Sequence, residues 1–143
     1  DCTGEAAHIL RPGGVTRDAV ATTLAAQGMT LAAEMPPTDE NTPASPGQLA
    51  SHYAPSAPVR LNVTAPEQGM ELIGFGETVG AGELGLNLSP KGDLQEAAAN
   101  LFEMMHAADA TGAAVIGVAP VPGNGLGEAL NDRLRRAATP RPV

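Results

Sequence analysis

The chain has 143 residues, a formal net charge of −8 and a pI near 4.7. That length suits one domain, or one small domain with part of another. So acidic a surface repels phosphate backbones, which argues against direct nucleic-acid binding, and no run approaches the ~20 continuous apolar residues of a membrane helix. Hydrophobic residues make up 43% of the chain, yet it has no Trp, one Tyr and two Phe. The core must therefore be built from Ala, Val, Leu and Met, which bury less apolar area per position. The single cysteine, Cys2, excludes an internal disulfide and points to a reducing, cytoplasmic setting. The opening DCTGEAAHILRPGG reads as the interior of a domain, so a piece of a longer protein is expected.

In chain order, residues 8–10 form a short strand-like run ending in the turn Arg11-Pro12-Gly13-Gly14. Proline presets φ there and paired glycines permit a sharp reversal. Thr16 is placed as an N-cap for a helix over 17–27, with Gly28 as its stop. One strand and one helix cannot close a core, so this piece belongs with a domain whose remainder lies elsewhere. From Glu34 to Pro58 the chain carries six prolines and no helical or strand period, a linker composition. The only tyrosine, Tyr53, sits inside it beside His52, where a pure spacer has no use for an aromatic ring.

An α/β pattern follows. Strands are expected over 59–63, 71–75 and 84–88, the last after the turn Gly80-Ala81-Gly82. Asp93 caps a helix reaching Ala110, on which Leu94, Ala97, Ala98, Leu101, Met105 and Ala108 share one face. Residues 114–118 are a continuous apolar run of the buried-parallel-strand kind. A last helix places Leu126, Leu130, Leu134 and Ala137 inward. The predicted class is α/β: a small Rossmann-like layered domain with a mostly parallel sheet over 58–143. It is preceded by an extended linker over 34–57 and an incomplete strand–helix piece over 1–33.

Few residues carry obvious chemistry. His8, His52 and His106 stand far apart, and neither Cys2 nor a carboxylate lies at ligand spacing from them, so no metal site is expected. No nucleophile-elbow motif supports a catalytic triad. Gly123, Gly125 and Gly127 lie between a strand and a helix, where free N–H groups favour anions. Their spacing is GxGxG rather than GxGxxG, and a tight packed turn explains it equally well. Arg133, Arg135, Arg136 and Arg141 gather near the end, where cations suit the negative end of a helix dipole. Arg11 beside its glycine turn offers a guanidinium that forks toward phosphate or carboxylate oxygens.

Several segments together resemble one family. Asp1-Cys2-Thr3 followed by Ile9-Leu10-Arg11-Pro12-Gly13 is similar to the end of the catalytic domain of threonylcarbamoyl-AMP synthases. There a Ser-Thr-Val-Val-Asp strand leads to a Leu-Arg-x-Gly turn. Ser45-Pro46-Gly47 and then His52-Tyr53-Ala54-Pro55 resemble the Ser-Pro-Gly-x4-His-Tyr-Ala-Pro linker of the two-domain members. Asn100-Leu101-Phe102 and the stretch Gly125-Leu126-Gly127-Glu128-Ala129-Leu130-Asn131-Asp132-Arg133-Leu134 are similar to their small C-terminal domain.

The resemblance implies an enzyme that condenses L-threonine, bicarbonate and ATP to threonylcarbamoyl-AMP, releasing pyrophosphate, for N6-threonylcarbamoyladenosine formation in tRNA. It implies that Arg11 contacts the ATP phosphates, that Tyr53 reaches back to the nucleotide, and that Ser45, Gly47 and His52 position a linker acting as a lid. ATP, accompanied by magnesium, would be a substrate of the full enzyme, and no tightly bound cofactor is implied. The upstream strand and the basic residues of the family's catalytic half have no counterpart here, so these residues alone should be inactive. The region between Val63 and Glu71 is short where relatives place a helix, which predicts an irregular connection and an open sheet edge. Two other expectations stand beside this one: a nucleotide or small-molecule sensor working through Gly123–Gly127, or a module docking the catalytic half or a second copy as a homodimer.

Overall fold

The structure, a computed structural model, describes residues 1–34 and 54–139. Its first helix, α1 (Arg17–Ala25), forms because Thr16 accepts a hydrogen bond from the Ala19 N–H at 3.3 Å and Asp18 lies in the first turn. It ends where Gly28 takes φ 72° and the Met29 N–H returns to the Leu24 carbonyl. No residue of α1 is buried. The strand expected over 8–10 is absent. Instead Ala7 makes a single parallel bridge to Leu31, its N–H donating to Thr30 O and its carbonyl accepting from Ala32 N, both at 2.8 Å. Among the described residues no further strand lies beside it to propagate a ladder.

Residues 54–139 hold a sheet of three short strands, β1 (Val59–Leu61), β2 (Met70–Ile73) and β3 (Val115–Val118). All pairings are parallel, in the order β1-β3-β2. Two helices, α2 (Leu94–Ala110) and α3 (Leu126–Ala137), share one core with Val59, Ile73, Ile116 and Val118. Because side chains alternate along a strand, Met70, Leu72 and Val115 point to the opposite face, where they form a smaller cluster with Val63 and Ala81. Gly117 makes this second layer thin: a Cβ there would meet the Met70 sulfur and Leu72. The predicted parallel α/β sheet is therefore present, with α2 and α3 on a single face.

The connection from β1 to β2 must pass β3, and residues 62–69 do so without a helix. Parallel strands normally need a dozen or more residues for such a return. Strands of three and four residues shorten the journey. Asn62 starts it at φ 59°, Val63 donates its N–H to Val118 O at 3.0 Å, and Arg60 pairs with Glu67 at 2.5 Å. Glu67 raises the Arg60 guanidinium pKa above its ordinary value by hydrogen bonding and charge.

The strand expected over 84–88 is replaced by a folded-back loop. Leu72 exchanges two backbone hydrogen bonds with Ala81, and Gly74 exchanges two with Leu86 and Leu88, so the loop covers the edge of β2. Its course is bent by Gly82, which takes φ 125° and leaves the space that the Glu71 carboxylate occupies. Glu71 is 2% exposed and accepts from the N–H groups of Glu83 at 2.8 Å and Leu84 at 3.1 Å. Those two amides serve a carboxylate rather than a neighbouring strand, which is why no ladder continues.

α2 has the predicted span. Asp93 caps it, accepting from the N–H groups of Gln95 and Glu96. Buried Ser89 adds a second clasp, taking the Asp93 N–H and donating its hydroxyl to Glu96. Ala97, Leu101, Met105 and Ala108 are buried as the spacing requires, and Leu94 and Ala98 pack partly buried against the same core.

Candidate functional site

Arg11 is half-buried at a groove of 460 Å³ whose walls are Asp1, Ile9, Leu10, Gly13, Gly14, Val15 and Val20. The wall is largely apolar, and Arg11 is the basic side chain among its residues. Pro12 is buried and Gly14 exposed, so the Arg11-Pro12-Gly13-Gly14 turn holds Arg11 at the junction of core and solvent. Behind it, the backbones of Asp1 and His8 pair through the His8 N–H to Asp1 O at 2.8 Å. The Asp1 carboxylate is engaged by the N–H and hydroxyl of Thr3.

Ser45, Gly47, His52 and Tyr53 lie outside the described residues. The chain immediately after them is anchored to the sheet domain. Ala54 is buried at 8% exposure, and Ala57 packs against the main core. The Ser56 and Ala57 N–H groups both donate to Oδ1 of Asp109, each at 2.9 Å. Pro58 O accepts from Ile116 N at 3.0 Å, which delivers the chain into β1.

The Gly123–Gly127 turn shows two different environments. Gly123 and Gly125 have open space where a Cβ would stand, whereas Gly127 presses against the Pro122 carbonyl. Gly125 is the N-cap of α3, at φ 57°, and supplies no side-chain cap. The Asn131 amide locks the turn by donating to the carbonyls of Val121, Pro122 and Gly127. In the first turn of α3, Glu128 pairs with Arg17 at 3.3 Å, so a carboxylate already stands near the positive end of the helix. This ion pair ties the N-terminal segment to the sheet domain.

Of the arginines near the end, Arg136 pairs with buried Asp132 at 3.0 Å and Arg133 lies 5.6 Å from the Phe102 ring centroid. Arg141 is outside the described residues. Among the described residues no group of three His, Cys, Asp or Glu side chains forms a metal site, and no helix is long and apolar enough to cross a membrane.

Comparison with known proteins gives these features a context. The family model described as "Threonylcarbamoyl-AMP synthase, C-terminal domain" matches residues 15–139. The chain belongs to this family. It is 26% identical, over 158 aligned residues, to the threonylcarbamoyl-AMP synthase of Bacillus subtilis (strain 168), an alignment covering 99% of this chain and 44% of that synthase. The crystal structure of P. abyssi Sua5 complexed with L-threonine matches with a TM-score of 0.62 and 26% identity, over 90% of this chain and 41% of that one. The chain thus spans less than half the length of these relatives.

Two residues with clear structural roles, Glu71 and Asp109, were missed by sequence reasoning. Asp109 did carry a signal. It stands in the last turn of α2, where no basic residue is found and a carboxylate opposes the helix dipole.

Proposed function

We propose that this chain is the lid-anchoring C-terminal part of an enzyme that makes threonylcarbamoyl-AMP from L-threonine, bicarbonate and ATP, with release of pyrophosphate, for tRNA modification. The observation that carries the reading is the family match over residues 15–139. That match contains the linker motif between the segment bearing Arg11 and the sheet domain. The P. abyssi relative crystallised with L-threonine supports threonine as the substrate.

The chemistry explains why such a part is useful. A carbamate of threonine and a mixed carbamic–phosphoric anhydride both break down in water, so the active site benefits from excluding solvent during transfer. Arg11 would hold phosphate oxygens with its forked guanidinium. Tyr53 would close over the nucleotide, supported by Ser45, Gly47 and His52. Magnesium would arrive with the ATP phosphates and help neutralise their charge.

The test joins this chain to a catalytic half and substitutes Tyr53→Ala. Loss of one aromatic contact of ~1 kcal/mol should raise the KM for ATP roughly fivefold, or increase release of hydrolysed intermediate. Arg11→Ala should weaken ATP binding further. Unchanged ATP kinetics and unchanged leakage in both variants would reject the reading.

A further inference from the structure

We propose that Asp109 is a positioning residue whose carboxylate sets the direction in which the chain enters the sheet domain directly after His52-Tyr53. Its catalytic consequence rests on the reading of Tyr53 given above; the clasp itself does not.

In the segment Ala54-Pro55-Ser56-Ala57-Pro58, the two prolines have no N–H to give. That leaves Ser56 and Ala57 as the donors after Ala54, and both point at one oxygen of Asp109, at 2.9 Å each. Consecutive N–H groups converging on one anion form a small backbone nest, and bonds to an ionised acceptor are the stronger kind. On one side of the nest Ala54 is buried, and on the other Pro58 joins the sheet through Ile116. The joint is therefore held at both ends as well as at its centre.

The placement of Asp109 on its own helix is consistent with this role. A carboxylate in the last turn of α2 faces the negative end of the helix dipole and finds no basic residue in that turn. The two donors from Ser56 and Ala57 offset that unfavourable field. Tyr53 directly precedes buried Ala54 in the chain, so the clasp at Ser56 and Ala57 lies within four residues of the residue proposed to meet the nucleotide.

Hydrogen exchange on the 143-residue chain tests the clasp. In Asp109→Ala the Ser56 and Ala57 amides should exchange on the order of tenfold faster or more, the scale expected for losing charge-assisted bonds. The amides of β3 and the centre of α2 should be unchanged. Asp109→Asn keeps an acceptor oxygen and should fall between, and it carries the same comparison if the alanine variant does not fold. Unaltered exchange at both amides overturns the proposal.

In the enzyme carrying the catalytic half, Asp109→Ala should raise the KM for ATP severalfold at nearly constant kcat, with partial rescue by Asp109→Asn. A purely structural residue would lower kcat with the folded fraction and leave KM alone. If Tyr53→Ala shifts the KM and Asp109→Ala does not, the positioning role is overturned. If neither shifts it, the lid reading fails and the positioning role falls with it, while the exchange data still decide the clasp.

Discussion

In α1, Thr16 caps the first turn and Gly28 follows the last; in α2, Asp93 and Gly112 stand at the same places. The capping signals are similar, yet α1 buries no residue while α2, with its longer apolar stripe, buries Ala97, Leu101, Met105 and Ala108 in the core shared with β2, β3 and α3. The difference lies in what stands opposite each helix. Caps determine where a helix begins and ends, but most helical stability in proteins comes from packing an apolar face. Residues 1–34 present Val20 and Leu24 half-buried and reach the sheet domain through the Arg17–Glu128 ion pair. The two relatives compared are each more than twice as long as the region matched here.

The comparison can be broken most directly in the core. Leu130 is fully buried, and Leu130→Ala should cost ~2–5 kcal/mol in urea unfolding. Val20→Ala in α1 should shift the same transition by less than ~0.5 kcal/mol. Equal effects would mean that the two regions share one core. A sharper contrast lies within the glycine turn. Gly127→Ala forces a Cβ onto the Pro122 carbonyl and should destabilise by ~1–3 kcal/mol, whereas Gly123→Ala meets open space and should stay within ~0.5 kcal/mol. Thermal melts of the two variants decide whether the turn is built for packing.

An effect smaller than those at Leu130 and Gly127 is expected at the tie between the regions. Arg17 and Glu128 are 27% and 29% exposed, so Arg17→Ala should change the main transition by at most ~1 kcal/mol. It should nevertheless speed amide exchange in α1, because Arg17 also donates to Ala32 O at 3.0 Å. Slower or unaltered exchange there would show that α1 is held by something else.

Much of the α/β half was legible. The span of α2 follows from Asp93 and the three- and four-residue spacing of its apolar positions, and β3 lies inside the apolar run 114–118. β2 begins one residue earlier than its expected range and ends two earlier, since the Gly74 backbone turns to the loop at Leu86 and Leu88 instead of continuing a ladder. The strand expected over 84–88 failed for a reason that alternation cannot reveal. Leu84, Leu86 and Leu88 do alternate, but Glu71 takes the amides of Glu83 and Leu84 from thirteen or fewer positions away. For the candidate site, Arg11 is placed at a groove and the entry to the sheet domain is clasped by Asp109. The motif residues Ser45, Gly47, His52 and Tyr53, singled out by resemblance, lie outside the described residues.

By itself the sequence determined the kinds of elements and where the helices start, because caps, turns and apolar spacing act over a few residues. It also carried the linker motif by which the family could be suspected. Only the tertiary structure decided the strand order β1-β3-β2, the single helix-bearing face, and the partners of Glu71 and Asp109. Those outcomes depend on which distant amide a buried or half-buried carboxylate meets once the sheet has closed. For Asp109 and Ser56 the partners stand 53 positions apart, beyond any local window.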